Sequence, residues 1–104
     1  MADAMGKKAL YTIVNVGFAD EAVDIIREAG AKGATIINAR GTGATHVSLL
    51  GISIDTEKEI ILSVVDRDVA VAAMRLIKEK MGRTTPACGI CFTMPVEQFI
   101  LTEE

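Results

Sequence analysis

Two stretches of this chain, residues 8–16 and 59–65, are apolar at almost every position instead of at every second one. In the first, Leu10, Thr12, Val14 and Val16 oppose Tyr11, Ile13 and Asn15, and the second reads Glu59-Ile60-Ile61-Leu62-Ser63-Val64-Val65. A strand with one wet face alternates, so these two predict a sheet covered on both sides. The chain has 104 residues, the size of one domain, and half of them are hydrophobic while only 4% are aromatic. Ala, Val, Ile and Leu must therefore build the core. That apolar share is generous for so small a domain, whose surface-to-volume ratio calls for a polar coat. A closed homo-oligomer with its sheets packed inward resolves the conflict, because a whole apolar face marks an interaction site.

The same composition excludes several classes. High hydrophobicity at a net charge of −3 is incompatible with disorder. The longest apolar run, residues 69–74, is far short of the roughly 18 residues of a membrane span, so no membrane insertion is expected. The acidic balance opposes nucleic-acid binding, which needs a basic surface. Two cysteines do not make a disulfide scaffold, and the start of the chain lacks the pattern of a secretory signal. The expectation is a cytoplasmic protein with reduced thiols.

Along the chain, residues 8–16 read as a strand ending at Gly17, and Ala22, Val23, Ile26 and Ala29 fall at helical spacing before Gly30. Residues 34–40 form a second strand, broken by Gly41-Thr42-Gly43. Residues 47–54 and 59–65 read as two strands joined by a hairpin turn at the polar residues 55–58. Val69, Ala72, Ala73, Leu76 and Ile77 define a second helix capped by Asp66 or Asp68, with Arg75 and Glu79 paired on its other face. After Gly82 a loop leads to a last strand, residues 89–94, which Pro95 ends. This order predicts an α+β, ferredoxin-like βαββαβ sandwich: an antiparallel sheet with two helices on one face. Residues 1–104 form a single domain with loosely ordered ends at 1–7 and 97–104.

Residues able to carry chemistry are few. Cys88-Gly89-Ile90-Cys91 has CxxC spacing but enters a strand, whereas redox and metal-carrying motifs of this spacing sit at a helix N-terminus. A buried, apolar Cys91 and an incidental Cys88 are expected, with no metal site. His46, the one histidine, has no thiol beside it and no Gly-x-Ser-x-Gly partner. No catalytic residues can be named, so an enzyme is not expected. Arg40-Gly41-Thr42-Gly43 and Thr84-Thr85-Pro86-Ala87-Cys88-Gly89 remain, where glycine lets backbone N–H groups approach an anion and Thr hydroxyls add donors.

Three blocks then take on a joint meaning: Gly30-Ala-Lys-Gly-Ala-Thr-Ile-Ile-Asn-Ala-Arg-Gly-Thr-Gly43, Gly51-Ile-Ser-Ile-Asp-Thr-Glu-Lys-Glu-Ile-Ile-Leu62 and Gly89-Ile-Cys-Phe-Thr-Met-Pro-Val96. Together they make the chain, from residue 8 to 96, resemble the PII-like family of nitrogen-regulatory signalling proteins. The resemblance implies a homotrimer that binds an adenine nucleotide in clefts between subunits. It implies signalling to a transporter or enzyme through a mobile T-loop. Carried over by position, Ile13 and Val64 would line the adenine pocket and Thr35 would meet the base or ribose. Gly41 and Gly43 would flank the T-loop, residues 42–49, and Ala87, Cys88 and Gly89 would cradle phosphates.

The departures from the family pattern narrow the expectation. The family's phosphate loop reads Gly-Asp-Gly-Lys, and this chain has Ala87-Cys88-Gly89-Ile90. Two C-terminal arginines of the family are replaced by the stretch Phe99-Ile100-Leu101-Thr102-Glu103. Losing three cations removes charge-assisted hydrogen bonds to a triphosphate, which Arg40 and Arg83 would replace only in part. The resemblance thus implies a regulatory ligand such as ADP or AMP rather than ATP, with no required cofactor. The alternatives are a trimeric interaction module with a vestigial cleft, or a metal-binding trimer using Cys88, Cys91 and His46.

Overall fold

The computed structural model describes residues 2–3, 6–42, 47–49, 52–54 and 56–100. Its main sheet has four antiparallel strands in the order β3-β6-β2-β7: β2 (Lys7–Asn15), β3 (Thr35–Gly41), β6 (Thr56–Asp66) and β7 (Ile90–Pro95). Helices α1 (Ala19–Glu28) and α2 (Arg67–Met81) pack on one face. Two short pairings complete the chain. Strand β1 (Ala2–Asp3) pairs with β8 (Gln98–Phe99), which brings the two expected loose ends together, and β4 (Val47–Leu49) pairs with β5 (Ile52–Ile54).

Two expectations need correction. Residues 47–54 are not one strand of the main sheet but a separate hairpin, and the antiparallel partner of β6 is β3. The polar residues Thr56, Glu57 and Lys58 are not a turn; they begin β6, opposite Gly41, Arg40 and Ala39. Glu57 is exposed there, so its charge stays in water. The segment linking β3 to β6 accordingly spans 42–55, longer than the expected 42–49. Asp55, His46 and Gly43 lie outside the described residues.

The helix-covered face is built by Leu10, Thr12 and Val14 of β2 with Ile61, Ser63 and Val65 of β6, all buried. Its two hydroxyls are satisfied: Ser63 Oγ donates to the Gly33 carbonyl at 2.6 Å, and Thr12 Oγ1 lies 3.3 Å from Cys91 Sγ. Ala22, Ile25 and Ile26 of α1 and Ala70, Ala73, Ile77 and Met81 of α2 fill the layer above. Phe18, at the N-cap of α1, has no capping side chain; Glu59 of β6 replaces it, accepting the N–H groups of Gly17 (2.8 Å) and Ala19 (3.2 Å). Asp66 stands at the α2 N-cap but makes no cap bond, and its carboxylate instead pairs with Lys7 Nζ at 2.7 Å. Gly30 ends α1 with φ at +120°, where a side chain would be strained.

Candidate functional site

Among the described residues no helix covers the opposite face of the sheet. The strand register places three rows of side chains across it: Ile37, Ile60, Ile13 and Ile90; Thr35, Leu62, Tyr11 and Phe92; and Val64, Ala9 and Met94. Tyr11 and Phe92 stack with ring centroids 5.1 Å apart. Val64 (48%), Ile90 (50%), Phe92 (39%) and Met94 (50%) nevertheless keep much of their surface in water. The second apolar face predicted from the strand pattern is thus present and open in the single chain. Burying a side chain of this size contributes about 1.5–3 kcal/mol, so these four half-exposed ones leave several kcal/mol unrealised.

Most of the predicted site residues gather at one end of this sheet. Ile13 lies between Ile60 and Ile90. Arg40 and Gly41 end β3, with Thr42 exposed beyond them, and the Lys58 side chain covers Gly41, where a Cβ would sit 2.8 Å from Lys58 Cε. The turn 82–89 closes the same end. Ala87 is buried and its carbonyl accepts the Asn15 N–H at 2.9 Å, while Cys88 has φ at +49°. Gly89 N–H donates to the Met81 carbonyl at 2.7 Å, so close that a Cβ on Gly89 would lie 2.4 Å from that oxygen. Cys88 N–H donates to the Thr85 carbonyl at 3.0 Å, so the amides of Cys88 and Gly89 both hold the turn's own shape.

Two residues missed from sequence tie this end together. Asn15 Oδ1 accepts Lys58 Nζ at 2.6 Å, and Asn15 Nδ2 donates to the Pro86 carbonyl at 2.8 Å. One amide thereby joins β6 and the base of the 42–55 segment to the turn 82–89. The available signal was Asn15 itself, a polar residue on an otherwise apolar strand face. Lys58 was hidden by its assignment to a turn.

Thr35 lies in the middle row and Val64 at the other end. Val64 is four residues along β6 from Ile60, which faces Ile13, a separation of roughly 13 Å at strand rise. It is not brought together with Ile13 in one chain. Val64 instead lines a cavity of about 540 Å³ with Gly33, Lys32, Val69 and Phe99, where the paired Lys7 ammonium sits 5.7 Å from the Phe99 ring centroid. The residues expected to meet a ligand are thus spread along the sheet and not gathered in one pocket of the single chain.

The family described as Nitrogen regulatory protein P-II matches residues 7–103, nearly the whole chain. The chain belongs to the P-II family. Among curated proteins none matches the chain. Solved structures of P-II proteins share the fold. CPII from Thiomonas intermedia K12, bound to ADP, AMP and bicarbonate, superposes with a TM-score of 0.70 at 18% identity, covering 92% of this chain and 96% of that one. The GlnK–ATP complex of B. subtilis gives 0.69 at 16% identity, with 92% and 86% covered. Arabidopsis thaliana PII bound to citrate gives 0.68 at 18%, with 94% and 82% covered. The family is one of regulatory, non-catalytic signalling proteins. Among the described residues no helix is long and apolar enough to cross a membrane, and no three His, Cys, Asp or Glu side chains converge as a metal site.

Cys88 and Cys91 are free thiols. Cys91 sits on the helix-covered face, where burial pushes its thiol pKa up, opposed by the weaker effect of the Thr12 hydroxyl. A thiol kept neutral is a poor nucleophile and a poor metal ligand.

Proposed function

We propose that this P-II protein is a non-catalytic, cytoplasmic signalling homotrimer that binds an adenine nucleotide between subunits and regulates a partner protein through the 42–55 segment. The observation that carries the reading is the open apolar face, which a single chain leaves half-exposed. Ile13, Gly41 and Ala87–Gly89 lie at one end of the sheet and Val64 roughly 13 Å along it, and copies packed through that face would enclose a cleft beside them. ADP or AMP is the favoured ligand. Ile90 stands where the family's phosphate lysine belongs, and the Cys88 and Gly89 amides are committed to internal bonds. Lys58 and Arg40 supply cations at the same end. The CPII complexes with ADP and AMP support this ligand class.

Isothermal titration with ATP, ADP and AMP tests the proposal, with ADP or AMP expected to bind more tightly than ATP. Silence for all three at millimolar concentration would leave the second reading, a trimeric interaction module with a vestigial cleft. That reading is favoured by the same committed amides and by the same Ile90.

A further inference from the structure

We propose that the outward groove between α2 and β7 is a docking site for an acidic protein segment carrying an aliphatic side chain between its carboxylates. The groove has a volume of about 690 Å³ and lies on the helix side of the sheet. Met74, Ile77 and Cys91 form its floor, and Arg75, Lys78 and Arg83 stand around it. Ile77 is buried, while Met74 and Cys91 are only half-buried, so the floor presents apolar surface to an occupant.

The charge on the rim selects the occupant. Arg75, Lys78 and Arg83 are exposed, and among the described residues none of them makes an ion pair. Glu79, one turn beyond Arg75, forms no pair with it, contrary to the sequence expectation. Lys7 and Lys80, away from the groove, are both paired, with Asp66 and Glu28. The negative end of the α2 dipole accounts for a cation in its last turn, such as Lys78. It does not account for Arg75, which stands before the last turn, or for the apolar floor beneath. In a chain of net charge −3, three unpaired cations along one groove form a local field opposite to that of the whole molecule.

An acidic peptide with an aliphatic anchor matches both features. A nucleic acid fits less well, because the groove offers no aromatic side chain for stacking and the net charge repels a polyanion. An anionic membrane would need a wider apolar or basic surface than this groove provides. The groove lies on the opposite side of the sheet from the open face proposed to be covered by other copies. Gly82, Thr84 and Gly89 also line it, so it adjoins the turn proposed to face the nucleotide, and the peptide is tested with no nucleotide present.

Fluorescence polarisation on the whole protein tests it. The probe is a fluorescein-labelled peptide of Glu-Leu-Glu repeats, with a Gln-Leu-Gln peptide as control. The proposal predicts saturable, salt-sensitive binding of the acidic peptide alone. Binding should weaken about tenfold in the combined Arg75→Gln, Lys78→Gln, Arg83→Gln protein, given the modest worth of each exposed pair. It should be unchanged when Arg27→Gln, Arg67→Gln and Lys80→Gln remove the same charge elsewhere. Met74→Gln should weaken it with the rim intact. Absence of saturable binding, equal loss in the two triple variants, or equal binding of the neutral peptide would overturn the proposal. So would displacement of the peptide by a DNA duplex or phosphatidylserine vesicles whose own binding is tighter and depends on the same three cations.

Discussion

The Lys58 ammonium lies 2.6 Å from Asn15 Oδ1, and the nitrogen of the same amide donates to the Pro86 carbonyl at 2.8 Å. A single side chain on β2 thus links the base of the 42–55 segment to the turn 82–89. Replacing Asn15 by Leu removes both bonds. Hydrogen bonds involving a charged group contribute about 1.5–3 kcal/mol. Since this one is partly exposed to water, a loss nearer 1 kcal/mol is expected in urea denaturation. Asn15→Asp keeps an acceptor for Lys58 and loses only the donor to Pro86, so it should retain more stability than the Leu variant.

Gly89 is required by space rather than by backbone angle. A Cβ there would lie 2.4 Å from the Met81 carbonyl, which also accepts the Gly89 N–H. Gly89→Ala must push β7 away from the end of α2. A destabilisation of about 3 kcal/mol is expected, at the upper end for overpacking. Thermal unfolding should show it clearly beside Gly33→Ala, since a Cβ at Gly33 meets nothing within 4 Å.

Glu59 caps α1 from a neighbouring strand, because Phe18 at the N-cap position cannot. Glu59→Ala should cost about 1 kcal/mol, the usual worth of a cap. The urea midpoint should fall without a change in m-value, since no additional surface is exposed on unfolding.

Cys91 titrates above its ordinary range because burial disfavours the thiolate. The native state therefore resists a deprotonation that the unfolded chain undergoes. Its contribution to stability is fully present below the unfolded thiol pKa and is lost as pH rises toward the raised native value. Stability should decline above roughly pH 8.5, and Cys91→Ala should flatten that decline. Alkylation of native protein near neutral pH should label Cys91 more slowly than the unfolded chain.

Much of the fold was legible because its signals are local. Helical spacing placed Ala22 and Ile26 on α1 and Ala73 and Ile77 on α2, and Gly30 and Gly82 marked the ends. The lack of alternation at Tyr11, Ile13, Leu62 and Val64 correctly indicated a second apolar face. Strand pairing was harder to read. Ile52 and Ile54 have the same strand preference as Ile36 and Ile37, and nothing local says which pair joins β6. Polarity at Thr56, Glu57 and Lys58 suggested a turn, although a strand tolerates polar residues such as Glu57 where the side chain reaches water. Misplacing Lys58 concealed its bond to Asn15, so the organising contact of the site was missed. The roughly 13 Å between Ile13 and Val64 along the sheet was also beyond the sequence, since it depends on register.

A ligand site between subunits requires the open face to be covered by other copies of the chain. Light scattering coupled to sizing chromatography measures this directly. The expected particle mass is three times the 11.1 kDa of the chain. A Phe92→Lys variant, which sets a charge against Tyr11 in the middle of that face, should shift the mass toward a single chain. A wild-type particle of one chain mass at micromolar concentration would contradict the assembly, and with it a ligand site between subunits.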